Sequence, residues 1–218
     1  MQSLPALRRH LVAMVALTIG FVALSGAVGA GALHPLDHAV DRLGQHLWSP
    51  GVEPIYQFIA LFGGIEVTSG LALGLFIWLR RQGFRAESWA LLAYPVALLL
   101  ETVYKRLIYQ VGPLPGHEDG PSLSALLVKD LPNSFPSGHQ VRTVVVYGLL
   151  AFCLHRLLPP GRVRSAAYPV LGLIIGLMAI DRIIVEAHWA SDVVGGLLLG
   201  GAVLAAAVAW MELPRSTN

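Results

Sequence analysis

Long apolar segments separated by short polar ones run along almost the whole chain. A helix needs about 20 mainly apolar residues to cross the hydrocarbon core of a bilayer, and six segments approach or exceed this length. They lie near Leu11–Ala30, Ile55–Leu79, Trp89–Ile108, Val141–Leu158, Ala166–Val185 and Val193–Trp210. The pattern predicts an all-α, polytopic membrane protein, a bundle of six transmembrane helices that forms one domain over residues 1–218.

The first segment has an alternative interpretation as a signal peptide. Arg8 and Arg9 precede it, and it ends in small residues, a pattern that secretory signals share. The length of the segment favours a retained helix, and its removal would leave an odd number of spans.

Composition supports a membrane location and excludes other classes. The chain is 55% hydrophobic and 13% charged, whereas soluble domains carry about 25% charged residues. A disordered tail, a nucleic-acid-binding protein and an ordinary cytosolic enzyme are therefore excluded. The net charge of +2 is too small to indicate a polyanionic partner. The single cysteine, Cys153, cannot form an internal disulfide, and the sequence specifies no oligomeric state.

Basic residues predict the orientation in the membrane, because cytoplasmic loops carry an excess of Lys and Arg. With the N-terminus inside, nine fall on the cytoplasmic side: Arg8, Arg9, Arg80, Arg81, Arg85, Arg156, Arg162, Arg164 and Arg215. Six fall towards the other side: Arg42, Lys105, Arg106, Lys129, Arg142 and Arg182. We expect both termini in the cytoplasm of a cell membrane.

Polar residues collect at the non-cytoplasmic ends of four predicted spans. Lys105 closes the third span, Ser134–His139 opens the fourth, Arg182 closes the fifth, and His188 with Asp192 opens the sixth. Ionisable residues at membrane depth are costly and commonly functional. Four distant stretches of sequence are thus predicted to form one site at the outer, or periplasmic, face.

The histidines and the carboxylate indicate acid–base or nucleophilic chemistry. His188 and Asp192 are four residues apart and would share a helix face. The carboxylate can accept one ring N–H of His188 and fix its tautomer, which leaves the other nitrogen as a nucleophile or base. His139 can serve as a general acid towards a leaving oxygen.

The remaining residues of the predicted site favour a phosphate. Ser137 and Gly138 begin a helix, where free N–H groups and the helix dipole attract anions, and Gly138 would let a ligand approach the backbone. Lys105 and Arg182 add two cations, and Arg can bind phosphate oxygens in a bidentate manner.

Two polar loops lie on the same face, and we interpret their charges as a solvated cap. The longer loop, Gly112–Ser134, carries His117, Glu118, Asp119, Lys129 and Asp130. The shorter loop, Gly31–Pro54, has polar residues at the spacing of an amphipathic surface helix: His34, Asp37, His38, Asp41 and Arg42.

In these residues the chain resembles the type 2 phosphatidic acid phosphatase family of membrane lipid phosphatases. Pro136-Ser137-Gly138-His139 matches the second family motif, and Arg182, His188 and Asp192 match the third with the expected gaps. Asp181 replaces the Ser that precedes this Arg. In the first motif Lys105 and Pro113 match, but Gly112 stands where Arg is expected.

The resemblance implies a role for each residue. His188 forms a phosphohistidine and Asp192 orients it, His139 protonates the leaving lipid oxygen, and Lys105, Ser137, Gly138 and Arg182 bind the phosphoryl group. It also implies that no metal or other cofactor is needed. His34 and His38 have helical metal-ligand spacing, but we interpret them as surface residues.

The missing first-motif arginine removes a cation that phosphoryl transfer would use. Three explanations remain open: another cation replaces it (Arg106, Lys129 or Arg142), the headgroup binds differently, or activity is weak or absent. For Arg142 we favour a supporting ion pair with Glu101, with Glu186 as the alternative partner. Glu66 is predicted to be a buried acid without an assigned partner.

The function predicted first is hydrolysis of a membrane lipid phosphate or diphosphate. Polyprenyl (undecaprenyl-type) diphosphate, phosphatidylglycerol phosphate and phosphatidic acid are all compatible substrates. A lipid phosphotransferase using the same intermediate and a catalytically degenerate lipid-binding or transport protein are the alternatives.

Overall fold

Helices account for all the regular secondary structure of the computed structural model, which describes residues 4–113 and 133–213. Nine α-helices lie in these two ranges: α1 Leu4–Gly29, α2 His34–Gln45, α3 Glu53–Leu61, α4 Ile65–Arg81, α5 Arg85–Ser88, α6 Ala93–Leu107, α7 Gly138–Leu157, α8 Arg162–Ile184 and α9 Ala190–Glu212. A 3-10 turn, Trp89–Leu92, joins α5 to α6. The predicted all-α class is confirmed.

Five stretches of the described chain are long and apolar enough to cross a membrane. They are Leu4–Gly29, Glu53–Arg81, Arg85–Leu107, Arg162–Ile184 and Ala190–Glu212. The fourth predicted span corresponds to α7, which is not among them and carries polar residues in its first turns. Of its 20 residues 13 are buried, because α6, α8 and α9 pack around it. A helix enclosed by other helices can carry polar side chains that lipid would exclude.

The second predicted span is two helices and not one. The chain leaves the helix after Leu61 and re-enters it at Ile65, across Phe62, Gly63 and Gly64. Glycine is the poorest helix former after proline. The break frees two carbonyls, and α7 uses both of them: Arg142 Nε donates to Gly63 O at 3.0 Å and the Tyr147 hydroxyl donates to Phe62 O at 2.9 Å. Irregular backbone at membrane depth is tolerated where protein satisfies it in this way.

One end of the bundle collects the ends of α6 and α8 and the starts of α7 and α9. Helix α1 packs along α9, and α2, the helix predicted in the shorter loop, lies across the link between α8 and α9. Most of the longer loop falls outside the described residues, including His117, Glu118, Asp119, Lys129 and Asp130; so does Arg215.

Candidate active site

Hydrogen bonds to backbone carbonyls join the segments that were predicted to meet. Ser137 N donates to Asp192 O at 3.0 Å, which ties the start of α7 to the first turn of α9. His188 N donates to Arg182 O at 3.1 Å, so the link after α8 folds back on the end of that helix. Lys105 Nζ donates to Ser134 O at 3.0 Å. The predicted residues therefore lie at one end of the bundle.

His188 and Asp192 are in contact, although not along one helix as predicted. Helix α9 begins at Ala190, so His188 lies in the link and Asp192 in the first helical turn. Nδ1 of His188 is 3.3 Å from Oδ2 of Asp192, and the same oxygen accepts the Trp189 N–H at 3.0 Å. The Asp192 side chain is fully buried and His188 is 12% exposed. Because Nδ1 faces the carboxylate, Nε2 is the nitrogen left for a ligand.

Burial lowers the pKa of His188 from its ordinary value. The charges of Lys105 and Arg182 lower it further, while the hydrogen bond and the charge of Asp192 raise it. Desolvation of the imidazolium is the largest of these effects. These effects together favour the neutral ring, which is the form that a nucleophile requires.

His139 lies in the first turn of α7 and is buried. It is close enough to His188, Lys105 and Arg182 for their charges to act on its imidazole. On its other side is the break between α3 and α4, where a Cβ on Gly63 would lie 2.9 Å from His139 Cδ2. Glycine at that position makes room for the ring.

The start of α7 offers a hydroxyl and helix N–H groups. Ser137 is fully buried, and within residues 4–113 and 133–213 its Oγ has no hydrogen-bond partner. Buried polar groups are normally paired, so a free hydroxyl here is ready for an acceptor. The first N–H groups of a helix also lack intrahelical acceptors. Both features suit a phosphate oxygen.

Glycine at position 138 has a structural reason besides the predicted one. A Cβ on Gly138 would collide with the carboxylate of Glu101 and lie 2.8 Å from Arg142 NH1. The missing side chain thus makes room for a neighbouring ion pair, and the close approach of a ligand to the backbone stays a prediction.

Arg142 and Glu101 form that ion pair. NH1 of Arg142 is 3.0 Å from Oε2 of Glu101, with 3% and 4% of the two side chains exposed. Of the two predicted partners, Glu101 is thus the one that Arg142 contacts. Glu186 lies in the α8–α9 link with a positive φ of 55°. Glu66, predicted to be buried, is exposed in the first turn of α4, although its neighbours Ile65 and Thr68 are buried.

The two candidate phosphate-binding cations differ in their surroundings. Lys105 is 6% exposed and donates to two backbone carbonyls, at Ser134 and, at 3.4 Å, at Asn133. Arg182 is paired with its chain neighbour: its NH2 is 2.6 Å from Oδ2 of Asp181, and both side chains are buried. Asp181, which replaces the family's Ser, therefore offsets part of the charge of Arg182.

The structure limits what can replace the missing arginine. Arg142 is engaged with Glu101, Arg106 is exposed, and Lys129 lies outside the described residues. Gly112 lies beside the site: a Cβ there would be 3.7 Å from Ser134 Cβ and 3.8 Å from Ala187 O. These are ordinary contacts, so the position has room for a side chain.

Asp37 is a residue of this region that sequence reasoning missed. It was predicted to belong to a solvated cap, but it is 2% exposed. Its Oδ1 accepts the Ser191 N–H at 2.9 Å and its Oδ2 accepts the Ser191 hydroxyl at 2.7 Å. Burial raises the pKa of the Asp37 carboxyl, and these two hydrogen bonds oppose the rise. Its position on a polar loop gave no signal that it would be buried.

Two further features bear on ligands. Within the described part of the chain, no group of three or more His, Cys, Asp or Glu is arranged to hold a metal ion. An apolar groove of about 910 Å³ runs between α1, α6 and α9, from Tyr104 at the site end to Trp89 and Trp210 at the other. Phe21, which lines this groove, meets the Tyr104 ring edge to face and stacks on Phe135, which directly precedes Pro136.

Comparisons with known proteins bear on the family and the fold of the chain. The model of the PAP2 superfamily matches residues 88–215, more than half of the chain. Phosphatidylglycerophosphatase B of Bacillus subtilis (strain 168) is 28% identical over 195 residues, which cover 85% of this chain and 88% of the relative. The crystal structure of the first transmembrane PAP2 type phosphatidylglycerolphosphate phosphatase from Bacillus subtilis matches with a TM-score of 0.76 at 23% identity. That match covers 94% of this chain and 99% of the other, and it supports the fold.

Proposed function

The chain belongs to the PAP2 superfamily and is a membrane-embedded phosphatase, and from this premise we propose that it hydrolyses a lipid phosphomonoester, first of all phosphatidylglycerol phosphate. The observation that carries the proposal is the contact between His188 Nδ1 and Asp192 Oδ2, at 3.3 Å, together with a Ser137 hydroxyl that has no partner among the described residues. The Ser137 N–H donates to Asp192 O at 3.0 Å, which brings the helix start that we propose to bind the anion next to the turn that holds His188.

The proposed reaction has two steps. Nε2 of His188 attacks phosphorus, the bond from phosphorus to the lipid oxygen breaks, and His139 gives its proton to that oxygen. Water then attacks the phosphohistidine and passes a proton to His139, and inorganic phosphate leaves as the P–N bond breaks. Asp192 holds the His188 tautomer and stabilises positive charge on the ring.

The phosphoryl oxygens are bound by a small set of donors in this proposal. Lys105 and Arg182 supply charge, and Ser137 Oγ with the N–H groups around Gly138 supplies hydrogen bonds. Preorganised donors of this kind typically contribute a factor of about 100 to 1,000 each.

The charge of the site favours a phosphomonoester over a diphosphate. Of the two candidate phosphate-binding cations among the described residues, Arg182 already faces the Asp181 carboxylate, and Gly112 contributes no side chain. A diphosphate brings more negative charge into the same space and calls for more cations. The name of the Bacillus subtilis relative, phosphatidylglycerophosphatase B, supports the same substrate.

The apolar groove between α1, α6 and α9 supports a lipid as the carrier of the phosphate. It is lined by apolar side chains, and its volume of about 910 Å³ lies at the upper end of the range for ligand pockets. A headgroup bound at the end of the bundle can leave its hydrocarbon chains in such a groove or in the bilayer.

Phosphate release from purified protein in detergent tests the proposal. The substrates are phosphatidylglycerol phosphate, phosphatidic acid and undecaprenyl diphosphate, first without added metal and then with chelator. We expect the highest kcat/KM for phosphatidylglycerol phosphate, and loss of release in His188→Ala and His139→Ala. His46→Ala, which removes an exposed histidine just after α2, is the matched control and should be active.

Release by His188→Ala equal to that of the wild type would remove the enzymatic assignment of this site. Labelled phosphate recovered on a second lipid, in place of free phosphate, would favour the phosphotransferase. Preference for the diphosphate would contradict the charge argument.

We propose that the active site faces outwards and that both termini are cytoplasmic, as the basic residues indicate. Ser49 lies at the site end and Gln82 at the opposite end, both exposed, and the native Cys153 is buried. In intact spheroplasts an impermeant maleimide should label Ser49→Cys but reach Gln82→Cys only after permeabilisation. The reverse result would invert the orientation.

A further inference from the structure

Helix α2 is fixed over the link between α8 and α9 at three points. Asp37 accepts two hydrogen bonds from Ser191. The rings of His38 and Trp189 meet edge to face with centroids 4.8 Å apart. At Gly44 the two backbones approach so closely that a Cβ would lie 3.4 Å from Ile183 O. A surface helix with no more than a solvating role would not make this set of contacts.

Asp37, on α2, supplies a hydrogen-bond acceptor that the start of α9 lacks. Ser191 is the second residue of α9, so its N–H has no acceptor within the helix. The Asp37 carboxylate accepts that N–H, and negative charge at a helix N-terminus is also favoured by the helix dipole. The register of the first turn of α9 therefore depends on a residue about 150 positions earlier in the chain.

The same hydrogen-bond network reaches the segment that leads into the second motif. Gln110 Nε2 donates to Ser191 Oγ at 3.0 Å. The backbone of Gln110 donates to Asn133 Oδ1 at 3.1 Å and accepts the Ser134 N–H at 2.7 Å. The Asn133 side chain in turn donates to Lys105 O at 2.7 Å. Ser191 is thus held from two sides.

We propose that Asp37 is a positioning residue of the phosphatase reaction: its carboxylate holds the first turn of α9 where Asp192 orients His188. This role rests on the proposed function, because it acts through His188. Ser191 and Asp192 are adjacent, and the backbone carbonyl of Asp192 accepts the Ser137 N–H. A shift of this turn moves the orienting carboxylate and the phosphate-binding helix start together.

The size of the effect follows from the sensitivity of such geometry. A displacement of about 1 Å at a reacting group can lower a rate by about 100-fold even when the mutation is remote. We expect kcat to fall by about 10- to 100-fold in Asp37→Ala, with KM nearly unchanged. Asp37→Asn keeps an acceptor for the Ser191 N–H and should retain more activity than Asp37→Ala.

Asp41 provides the matched control one turn along the same helix. It is partly exposed, and its Oδ2 accepts the Gln45 Nε2 at 3.1 Å in an exposed contact. Asp41→Asn removes the same charge from α2 without touching Ser191. All variants are assayed as full-length protein in detergent, on the lipid phosphate that the wild type hydrolyses best, with thermal unfolding measured in parallel.

The pH profile of kcat/KM separates positioning from a merely structural role. His188 is surrounded by Asp192 on α9, Lys105 on α6, Arg182 on α8 and His139 on α7. Of these charges Asp192 favours the imidazolium, so a displaced Asp192 moves the acidic limb of the profile to lower pH. A loss of folded protein lowers the amplitude of the profile without moving that limb.

We expect Asp37→Ala to lower kcat and to shift the acidic limb of the pH profile. The change should be smaller in Asp37→Asn and absent in Asp41→Asn. Wild-type kcat in Asp37→Ala, or a loss that only follows the folded fraction, would overturn the positioning role. The proposed function fails by a different result, which is phosphate release that persists in His188→Ala.

Discussion

The ion pair between Arg142 and Glu101 allows a quantitative prediction about stability. Both side chains are almost completely buried, and Arg142 Nε also donates to Gly63 O at the helix break. Replacing Arg142 with Met leaves the Glu101 carboxylate buried without its cation, and breaking a buried pair in this way costs about 3–5 kcal/mol. For a chain of this length that corresponds to a Tm lower by about 6–20 °C.

The double variant Arg142→Met with Glu101→Gln separates the charge from the other contacts. With both charges removed, the main remaining defect is the Gly63 carbonyl, which loses its donor at a cost of about 1–3 kcal/mol. The double variant should therefore be more stable than Arg142→Met alone. Phosphate release per folded molecule should fall in the single variant, because Glu101 also packs against Gly138 at the start of α7.

Thermal unfolding in detergent, followed by tryptophan fluorescence, measures the effect. A more exposed ion pair, Arg156 with Glu212 at 2.8 Å, is the control, since its side chains are 20% and 13% exposed. Arg156→Met should cost about 1 kcal/mol or less, as for more exposed pairs. The supporting role of the pair is refuted if Arg142→Met lowers the free energy of unfolding no more than Arg156→Met does. It is also refuted if the double variant loses as much free energy of unfolding as the two single variants added together.

Three further predictions concern charge, chain length and pH. Gly112→Arg should raise kcat/KM for a lipid diphosphate by about 10- to 100-fold, because a charged hydrogen bond contributes about 1.5–3 kcal/mol. An equal gain in Gly112→Met would contradict an electrostatic cause. Ala206→Phe narrows the apolar groove and should lower kcat/KM for long-chain but not for short-chain substrates. The control Leu173→Phe, on the exposed face of α8, should leave kcat/KM unchanged for both. Equal losses for both chain lengths would contradict a groove for the lipid tail. Since burial lowers the pKa of His188 and the neutral ring is the nucleophile, the acidic limb of kcat/KM should lie below pH 6.5; a limb above that value would contradict this assignment.

Much of the architecture could be predicted from the chain alone. Apolar stretches long enough to span a bilayer are a local property of sequence, and alternation of spans places Lys105, His139, Arg182 and His188 at one end whatever the packing. The same alternation brought the motif residues into one candidate site before any contact was known.

The helix break shows where this reasoning stops. Phe62-Gly63-Gly64 interrupts the second span, yet the hydropathy of the segment is continuous across it. The break is stable because Arg142 and Tyr147, about 80 residues later, bond the carbonyls that it frees. Hydropathy reports transfer to lipid and carries no information about such partners.

Tertiary structure alone decided which charges meet. The choice of Glu101 over Glu186 for Arg142 and the burial of Asp37 against Ser191 both depend on how closely two helices approach. A buried charge is stable only when partners lie within a few ångströms, and that distance is set by packing. Sequence by itself determined which residues reach the site end of the bundle, and packing determined what each of them touches there.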